Sequence, residues 1–442
     1  MNFTTLRKQQ NNFIYESYKI ISNNDTLTLN FVYKLTEKEK TTTFNHSISI
    51  ENKSFFKDIK NIETIVFHIG LIEAINYYKI AAPKDFIIQC GSINNKQQKW
   101  FKKLYYNGLG EFLYLNKISI SQDDFVNFII KCDKEFSIID HKTKDNNIIP
   151  IGGGKDSIVT YELLKDIFPN SYMFSMNPIV ASQNILNRHP NNSIVLKRNL
   201  DIEKILRFNK DGYLNGHIPF SSIVGFISIW LGLLYETKYI VLSNEESANE
   251  ENVVFNDLKV NHQYSKSFEF ENDFREYIAT YVTKDVEYFS FLRPLQEIHI
   301  AKLFAQNKEY FDTFLSCNVG SRKNIWCAKC PKCMFTYIML CNFISDDTMK
   351  KIFGSNMLDD KTLQTTFDKL YKSEEVKPFE CVGTYDEVNY AIQQKIKTYT
   401  NDTMPYLLKN YNGKTIENYN LEVDFANCNL PEKFINIMAS KI

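Results

Sequence analysis

Polar and apolar residues alternate in the first part of the chain, as in Thr26-Leu-Thr-Leu-Asn-Phe-Val-Tyr33. A period of two places alternate side chains on one face of a strand, so this segment predicts a half-buried β-strand. Apolar spacing over residues 62–80 predicts an amphipathic helix, and residues 96–106 predict another. These elements predict an N-terminal α+β domain over residues 1–145, and the polar run 142–147 at its end is a candidate linker.

The hydrophobic pattern changes at Ile148, after which short apolar runs alternate with helical patterns. Strands that alternate with helices predict an α/β domain with a parallel sheet, which we assign to residues 146–345. The pattern that follows predicts a mainly helical C-terminal region over residues 346–442. The predicted strands cover residues 148–151, 171–175, 193–196 and 239–243, and the predicted helices cover 156–168, 182–187, 220–235, 363–371 and 386–397.

The composition is that of a globular protein with more than one domain. The chain has 442 residues, of which 44% are hydrophobic and 24% charged. Lys and Arg total 52, as do Asp and Glu, so the net charge is zero. Because nucleic-acid binding relies on excess positive charge, we expect no nucleic-acid partner.

Two features bear on the compartment. The apolar stretch 218–235 has about the length of a membrane span, but its serines and glycines and the strand-like run after it favour a buried helix. Residues 1–21 lack the apolar core of a signal peptide, and the nine cysteines are odd in number with four of them clustered. We expect a cytoplasmic protein without stable membrane insertion, and a metal rather than disulfides at the cluster.

The most informative segment joins the first strand of the α/β domain to its first helix. Three consecutive glycines let backbone N–H groups meet a phosphate closely, and the helix directs the positive end of its dipole to the same place. A lysine charge, a serine hydroxyl and an aspartate that can bind Mg²⁺ come directly after the glycines. The predicted nucleotide-binding residues of this glycine loop are Gly152, Gly153, Gly154, Lys155, Asp156 and Ser157, with Asp156 also the predicted magnesium ligand.

Two common phosphate-binding motifs do not fit this loop. The Walker A spacing is absent, and Ser157 occupies the last glycine position of the dinucleotide fingerprint. The loop resembles the PP-loop of the ATP pyrophosphatases, Ser-Gly-Gly-x-Asp-Ser, with Gly152 in place of the first serine. The resemblance implies a PP-loop (HUP-like) parallel sheet domain that binds the pyrophosphate end of ATP. A glycine-rich turn without a ligand is the plainer alternative.

The clustered cysteines have the spacing Cys317-x9-Cys327-x2-Cys330-x2-Cys333. Four thiolates at this spacing can close a tetrahedral, structural zinc site. The run resembles the zinc site of the 7-cyano-7-deazaguanine synthases, which are also PP-loop enzymes. An iron–sulfur cluster and a set of free thiols are the alternatives.

Polar runs downstream of the glycine loop add further candidates. Ser243, Asn244 and Glu245 end a predicted strand, and ligands of parallel sheets bind at the carboxyl ends of strands. Ser243 and Asn244 are therefore added to the predicted nucleotide site. His217 and His262 lie in two other polar runs. Solvated loop residues without a function are the alternative for each of them.

Taken together, these segments resemble the ATP-dependent UDP-N-acetyl-muramoyl-L-alanyl-L-glutamate epimerases of peptidoglycan synthesis, the MurL family. The resemblance implies an isomerase whose substrate is a UDP-linked muramoyl dipeptide and whose cofactors are ATP and Mg²⁺. It implies that the terminal L-glutamate becomes an acyl adenylate, loses its Cα proton and is reprotonated to D-glutamate, with release of AMP and diphosphate. The matching segments include residues 108–112, 152–157, 214–219, 243–246, 260–269, 289–294, 317–333 and 377–383.

Individual roles follow from this reaction as hypotheses. Proton transfer needs a base within reach and an acid on the opposite face, and the anionic substrate needs cations. The catalytic candidates are His217, His262, Glu245 and Cys381. The substrate-binding candidates are Lys266, Arg275 and Arg293, for which an ordinary surface charge is the alternative.

Two other functions remain open from the sequence. One is a different PP-loop reaction, such as amidation, thiolation or deazaguanine nitrile synthesis, although the charge balance opposes action on tRNA. The other is an ATP-binding protein without turnover, against which Asp156 and Ser157 count. The sequence does not determine the oligomeric state or the identity of the metal.

Overall fold

A computed structural model describes residues 1–9, 11–37, 40–53, 56, 58–374 and 376–442. The chain divides into two compact units, each built from several segments. Unit 1 comprises Met1–Ile148, Ile194–Ile240 and Val254–Tyr288, and unit 2 comprises Ile149–Ser193, Val241–Val253 and Phe289–Ile442. Both units contain strands and helices, so the predicted α/β fold class is confirmed.

The strands are β1 (Asn12–Ser22), β2 (Thr26–Glu37), β3 (Lys40–Glu51), β4 (Asp85–Ile88), β5 (Asn127–Ile130), β6 (Lys144–Pro150), β7 (Tyr172–Met176), β8 (Ser193–Asn199), β9 (Thr237–Leu242), β10 (Val253–Phe255), β11 (Leu258–Val260) and β12 (Glu287–Ser290).

The helices are α1 (Phe3–Lys8), α2 (Glu63–Glu73), α3 (Ile75–Tyr78), α4 (Asn95–Gly108), α5 (Gly110–Leu115), α6 (Gln122–Phe125), α7 (Lys155–Leu164), α8 (Val180–Asn187), α9 (Ile202–Lys210), α10 (Phe220–Leu234), α11 (Phe268–Tyr281), α12 (Glu297–Phe304), α13 (Pro331–Leu340), α14 (Asp346–Phe353), α15 (Gln364–Tyr371), α16 (Tyr385–Ile396), α17 (Tyr406–Lys409) and α18 (Glu432–Ala439).

Unit 1 contains a mixed run of strands in the order β8-β3-β2-β1-β4-β5. Strands β1, β2 and β3 pair antiparallel, whereas β1, β4 and β5 pair in parallel. In β2 the side chains alternate in burial from Leu27 to Leu35, which confirms the predicted half-buried strand. The strand predicted at residues 193–196 is present as β8, but it lies antiparallel to β3, with Arg198 opposite Ile48. The expected purely parallel arrangement is therefore wrong at β8.

The predicted amphipathic helix over residues 62–80 is wrong in one respect, because α2 is buried on every side. Residues 64–73 are all buried, and α10, the helix predicted in the apolar stretch, packs against α2. Burial of a charged residue on this helix requires a partner, and Arg198 donates to Glu73 Oε1 at 2.8 Å. Among the residues that the structure describes, no helix combines the length and apolar character needed to cross a bilayer.

The predicted linker at residues 142–147 is also wrong, because Lys144 begins β6. This strand pairs in parallel with β9, where Lys144 is opposite Thr237 and Ile148 is opposite Ile240. Polar composition does not exclude a strand here, because pairing with a neighbouring strand satisfies the backbone hydrogen-bonding groups whatever the side chains are. Asn147 is fully buried in this strand.

In unit 2 the carboxyl-terminal residues of β12, β9 and β6 lie side by side in that order, and β7 lies next to β6. The backbone continues this arrangement past the strand ends, since Ile151 N–H donates to the Phe174 carbonyl at 2.7 Å. The helices predicted at residues 363–371 and 386–397 are confirmed as α15 and α16, which pack against α13.

Candidate functional site

The glycine loop of unit 2 connects β6 to α7 and is shaped for close backbone approach. Gly153 has φ +93°, and a Cβ there would lie 3.0 Å from the Ser182 backbone nitrogen. Its carbonyl accepts from the Leu315 N–H at 2.8 Å. Only glycine adopts this conformation without strain, so Gly153 fixes the path of the loop. Around Gly152, by contrast, a Cβ would meet nothing within 4 Å.

The N-terminus of α7 has the properties of an anion site. Gly154 is its N-cap residue and supplies no side-chain hydrogen bond to the first turn. The backbone N–H groups of a first helical turn have no acceptor within the helix, and the dipole adds positive potential there. The open space at Gly152 lies directly before this turn. These features fit a phosphate group.

Lys155 is buried, and two carboxylates contact its ammonium group. Its Nζ donates to Asp156 and to Glu297, and its side chain is only 3% exposed. Burial disfavours the charged ammonium, but the two carboxylates outweigh it and raise the pKa of Lys155 above its ordinary value. The lysine therefore remains charged and orients Asp156, whose side chain is 29% exposed.

Two carboxyl groups that the sequence analysis missed lie near this lysine. Burial, opposed by Lys155, raises the pKa of Glu297 to about 7. Burial and the neighbouring Glu297 raise the pKa of Glu387 to about 8, and Glu387 Oε1 accepts from the Ile298 N–H at 3.0 Å. Glutamates in the first turn of a helix are common as dipole partners, so no sequence signal marked either one.

Ser243 and Asn244, which follow β9, and Arg293, which follows β12, have three different environments. Asn244 donates to Ser290 Oγ at 2.9 Å and so ties the ends of β9 and β12 together. Arg293, predicted to bind substrate, is 2% exposed and donates to the Glu245 carbonyl at 2.8 Å. The hydroxyl of Ser243 is buried and meets no hydrogen-bond partner within the described residues. A buried, unpartnered hydroxyl at a strand end fits a ligand contact.

The acidic groups of unit 2 are suited to a magnesium ion. Asp156 and Glu245 both act on Glu297 by charge repulsion, so three carboxyl groups share one neighbourhood. Glu245 is 4% exposed, and Ser247 donates to its Oε1 at 3.5 Å. Mg²⁺ prefers carboxylate oxygens together with substrate phosphates, so Asp156 and Glu245 fit as its protein ligands. Ser157 Oγ donates to the Gly154 carbonyl at 3.2 Å, within the loop itself.

The four clustered cysteines converge, as their spacing predicted. Their Sγ atoms are 3.4 Å apart for Cys330 and Cys333, 3.7 Å for Cys327 and Cys333, and 4.0 Å for Cys317 and Cys330. A tetrahedral zinc with bonds of about 2.3 Å requires sulfur separations of about 3.8 Å. The Gly320 N–H donates to Cys317 Sγ at 3.0 Å. The donor set and its geometry fit zinc.

The segment next to the cysteines is anchored by Lys332. Its backbone N–H donates to Glu380 Oε2 at 2.6 Å, and its Nζ donates to the Cys381 carbonyl. Cys381, a candidate base, is thus held beside the cysteine cluster through its main chain.

A second site lies in unit 1, where the structure brings the two predicted histidines together. The rings of His217 and His262 are 4.2 Å apart between centroids. Glu111, which the sequence analysis did not select, has its Oε2 2.5 Å from His262 Nδ1 and 3.9 Å from His217 Nδ1. We call these three side chains the histidine cluster. No sequence signal joined Glu111 to histidines more than one hundred positions away.

Two lysines, Lys79 and Lys266, lie near His217. Burial, then the charges of His262, Lys79 and Lys266, lower the pKa of His217 to about 3, so this imidazole is neutral. Lys266, a predicted substrate-binding residue, therefore lies near His217, a predicted catalytic residue. Arg275, also in unit 1, donates instead to the Tyr288 carbonyl.

Comparison with known families and proteins gives a consistent result. Residues 4–291 match the MurL N-terminal domain, and residues 313–416 match the MurL C-terminal domain. A protein of Xanthomonas oryzae pv. oryzae (strain MAFF 311018) is 33% identical over 335 residues, 73% of this chain and 72% of the relative. A protein of Micromonospora sp. (strain ATCC 39149 / NRRL 15099 / SCC 1413) is 32% identical over 338 residues, 73% of each chain. Both relatives are named UDP-N-acetyl-alpha-D-muramoyl-L-alanyl-L-glutamate epimerase.

Proposed function

The chain belongs to the MurL family, and from this premise we propose that it converts the terminal L-glutamate of UDP-N-acetylmuramoyl-L-Ala-L-Glu to D-glutamate for peptidoglycan synthesis. The observation that carries the proposal is the match to relatives of that name over nearly three quarters of both chains. We further propose that the reaction consumes ATP and releases AMP and diphosphate. The glycine loop at the start of α7 supports this part.

The chemistry explains why ATP would be needed. A free α-carboxylate opposes removal of the neighbouring Cα proton, because the carbanion would add a second negative charge beside it. Attack of this carboxylate on the α-phosphate forms a carboxyl–phosphate bond and breaks the bond to diphosphate. The resulting acyl adenylate can lose the Cα proton to give an enolate. Reprotonation on the other face inverts the centre, and water then releases AMP and the D-glutamyl product.

The residues of unit 2 are proposed to carry out the adenylation. Backbone N–H groups of the glycine loop and of the first turn of α7 would hold the diphosphate, and the Ser243 hydroxyl would donate to the nucleotide. Asp156 and Glu245 would hold Mg²⁺, which when bound neutralises phosphate charge. Lys155 keeps Asp156 in place. The four cysteines would hold a structural zinc ion that fixes the segment following Leu315.

We propose that His217 and His262 take part in proton transfer. A base and an acid on opposite faces of Cα must each lie about 3 Å from it, so their rings need a gap wide enough for the substrate. The rings of His217 and His262 are only 4.2 Å apart and leave no such gap. These two residues therefore serve the same face, and the proton donor for the opposite face lies outside the histidine cluster.

The adenylate can be tested by isotope transfer. Substrate labelled with ¹⁸O in the glutamate α-carboxylate is incubated with ATP and Mg²⁺, and AMP is analysed by mass spectrometry. We expect one ¹⁸O in each AMP, because the bridging oxygen stays with phosphorus when water attacks the carbonyl. D-Glutamate without AMP formation contradicts the ATP-dependent route. AMP that carries ¹⁸O without inversion contradicts the epimerase.

A pair of variants connects this test to the loop. Asp156→Asn should abolish AMP formation because it removes the proposed magnesium ligand. Asp166→Asn is the matched control, since Asp166 is an exposed carboxylate beyond the end of the same helix. Equal rates of AMP formation in the two variants would refute the role of Asp156.

A further inference from the structure

Glu297 is the first residue of α12, and the packing of this helix fixes its position. Within unit 2, α12 packs against α7. On α16, Glu387 anchors the same end of the helix, because its Oε1 accepts from the Ile298 N–H at 3.0 Å. The Glu297 side chain is 1% exposed, and its Oε2 accepts from the ammonium group of Lys155. The packing of α12 therefore holds a buried carboxylate against this lysine.

Lys155 contacts two carboxylates that differ in their surroundings. Asp156 Oδ1 and Glu297 Oε2 both accept from its Nζ. The Asp156 side chain is 29% exposed, whereas that of Glu297 is enclosed by the protein. Asp156 thus remains accessible to an ion that arrives from solvent, while Glu297 faces the lysine.

The charges near Lys155 explain why a second carboxylate is needed there. Asp156 and Glu245, the proposed magnesium ligands, both act on Glu297 by charge repulsion, so the three carboxyl groups lie in one neighbourhood. A lysine that faced these two ligands alone would cancel one of their charges. The charge of Glu297 balances the lysine instead and leaves both ligand charges to attract a divalent cation. Lys332 also attracts Glu297, but more weakly than Lys155 does.

Stability alone does not account for a buried pair of this kind. Removing two charges from water costs free energy, and their mutual attraction often fails to compensate for this cost. Apolar side chains of similar volume between α7 and α12 would stabilise the fold at least as well. The pair is therefore better explained by what its charges do for the neighbouring carboxylates.

We propose that Glu297 is a positioning residue of the magnesium site: it neutralises Lys155, so that the lysine orients Asp156 without cancelling the charge that the metal ion needs. The inference rests on the proposed function, in which Mg²⁺ accompanies ATP. Glu297 itself contacts neither the ion nor the nucleotide in this arrangement. Its effect passes through Lys155 to Asp156.

The test measures Mn²⁺ binding to the ATP-free chain by electron paramagnetic resonance, because Mn²⁺ suits the same carboxylate and water ligands as Mg²⁺. Binding that persists in Asp156→Asn gives the background from other sites. Glutamine at position 297 keeps the size of the side chain and can accept from Lys155, but it carries no charge. Loss of a residue that supports a metal ligand weakens metal binding by about 10–100-fold, and we expect a loss of this size in Glu297→Gln.

The double variant separates charge balance from a merely structural role. Lys155→Met combined with Glu297→Gln removes both charges of the pair, so the charges of Asp156 and Glu245 are again uncompensated. We expect this chain to regain most of the Mn²⁺ affinity that Glu297→Gln loses, and it tests the proposal even where Glu297→Gln does not fold. Glu309→Gln, which alters an exposed carboxylate after α12, is the control and should bind as the wild type does. All chains are compared at pH 8, where Lys155 and Glu297 both carry their charges.

AMP formation with the muramoyl dipeptide connects binding to the reaction. In Glu297→Gln the Mg²⁺ concentration for half-maximal rate should rise by the same factor as the loss of Mn²⁺ affinity, with kcat at saturating Mg²⁺ retained. Equal Mn²⁺ affinity of Glu297→Gln and the wild type overturns the assignment of Glu297. A double variant that binds Mn²⁺ no better than Glu297→Gln also overturns it, because Glu297 would then be a ligand or a structural support. A wild type that binds Mn²⁺ at Asp156 but forms no AMP overturns the ATP-dependent function alone.

Discussion

Replacing Lys155 with methionine should destabilise the protein by an amount that grows with pH. The ammonium of Lys155 is buried between Asp156 and Glu297, and methionine preserves most of the side-chain volume without the charge. Below neutral pH the Glu297 carboxyl is already protonated in the wild type, because its pKa is raised to about 7. The variant then loses mainly the contact of Lys155 with Asp156, a loss of about 1–2 kcal/mol.

At higher pH the ionisation of Glu297 determines how much stability the variant loses. A pKa raised on folding stabilises the native state below the unfolded pKa, and this stabilisation is lost as pH rises through the folded pKa. Without Lys155 the pKa of Glu297 in the folded state rises further. The free energy of unfolding of the variant therefore continues to fall above pH 7, whereas the contribution of Glu297 in the wild type no longer changes. Each pH unit adds up to about 1.4 kcal/mol, which gives about 3 kcal/mol more by pH 9. The total of about 4–5 kcal/mol agrees with the usual loss from breaking a buried ion pair.

The assay is urea unfolding at pH 6 and pH 9 for four chains. The free energy of unfolding is compared for the wild type, Lys155→Met, Glu297→Gln and the double variant. The double variant should lose the pH-dependent part of the defect, because no carboxylate is left unpaired. Lys165→Met at the end of the same helix is the control and should change stability by about 0.5 kcal/mol or less, since the Lys165 side chain is 36% exposed. An equal defect at both pH values, or no recovery in the double variant, would refute the reasoning.

Three further predictions test other parts of the account. Gly153→Ala should lose about 1–3 kcal/mol of stability and most ATP binding, because φ is +93° at this position and the new Cβ would contact Ser182. Gly152→Ala is the control and should keep its stability, because a Cβ there meets nothing within 4 Å. Unfolding experiments measure the stability of both variants, and calorimetric titration with an ATP analogue measures their binding. The purified chain should contain one zinc per molecule by elemental analysis, and Cys330→Ser should lose it; retention of zinc by this variant would disprove the site. In the wild type, the free energy of unfolding should fall by up to about 4 kcal/mol between pH 5 and pH 8, because the pKa of Glu387 is raised to about 8. Glu387→Gln should make this fall smaller, and an unchanged pH dependence would refute the assignment.

Local sequence patterns predicted the features that depend on neighbouring residues. The alternation in β2, the strand–glycine–helix order around Gly153 and the convergence of the four cysteines all follow from spacing along the chain. Such patterns reflect backbone geometry, which a short segment largely determines by itself. The helix α10 was predicted for the same reason, because its apolar run is too interrupted for a membrane span.

Features that depend on distant residues could not be predicted in this way. Glu297 and Glu387 meet Lys155 and each other only through the packing of helices far apart in sequence, and Glu111 reaches His262 by the same means. Their local surroundings resemble ordinary helix starts. The polar composition before Ile148 predicts a linker, because the burial of Asn147 in a strand depends on neighbouring strands that the local sequence does not show.

The most direct test of the central claim follows inversion and ATP cleavage in one reaction. The chain is incubated with UDP-N-acetylmuramoyl-L-Ala-L-Glu, ATP and Mg²⁺ in D₂O, and the product is hydrolysed for chiral analysis and mass spectrometry. The account predicts D-glutamate with deuterium at Cα, together with AMP. Recovery of L-glutamate that carries no deuterium, with ATP unchanged, would contradict it.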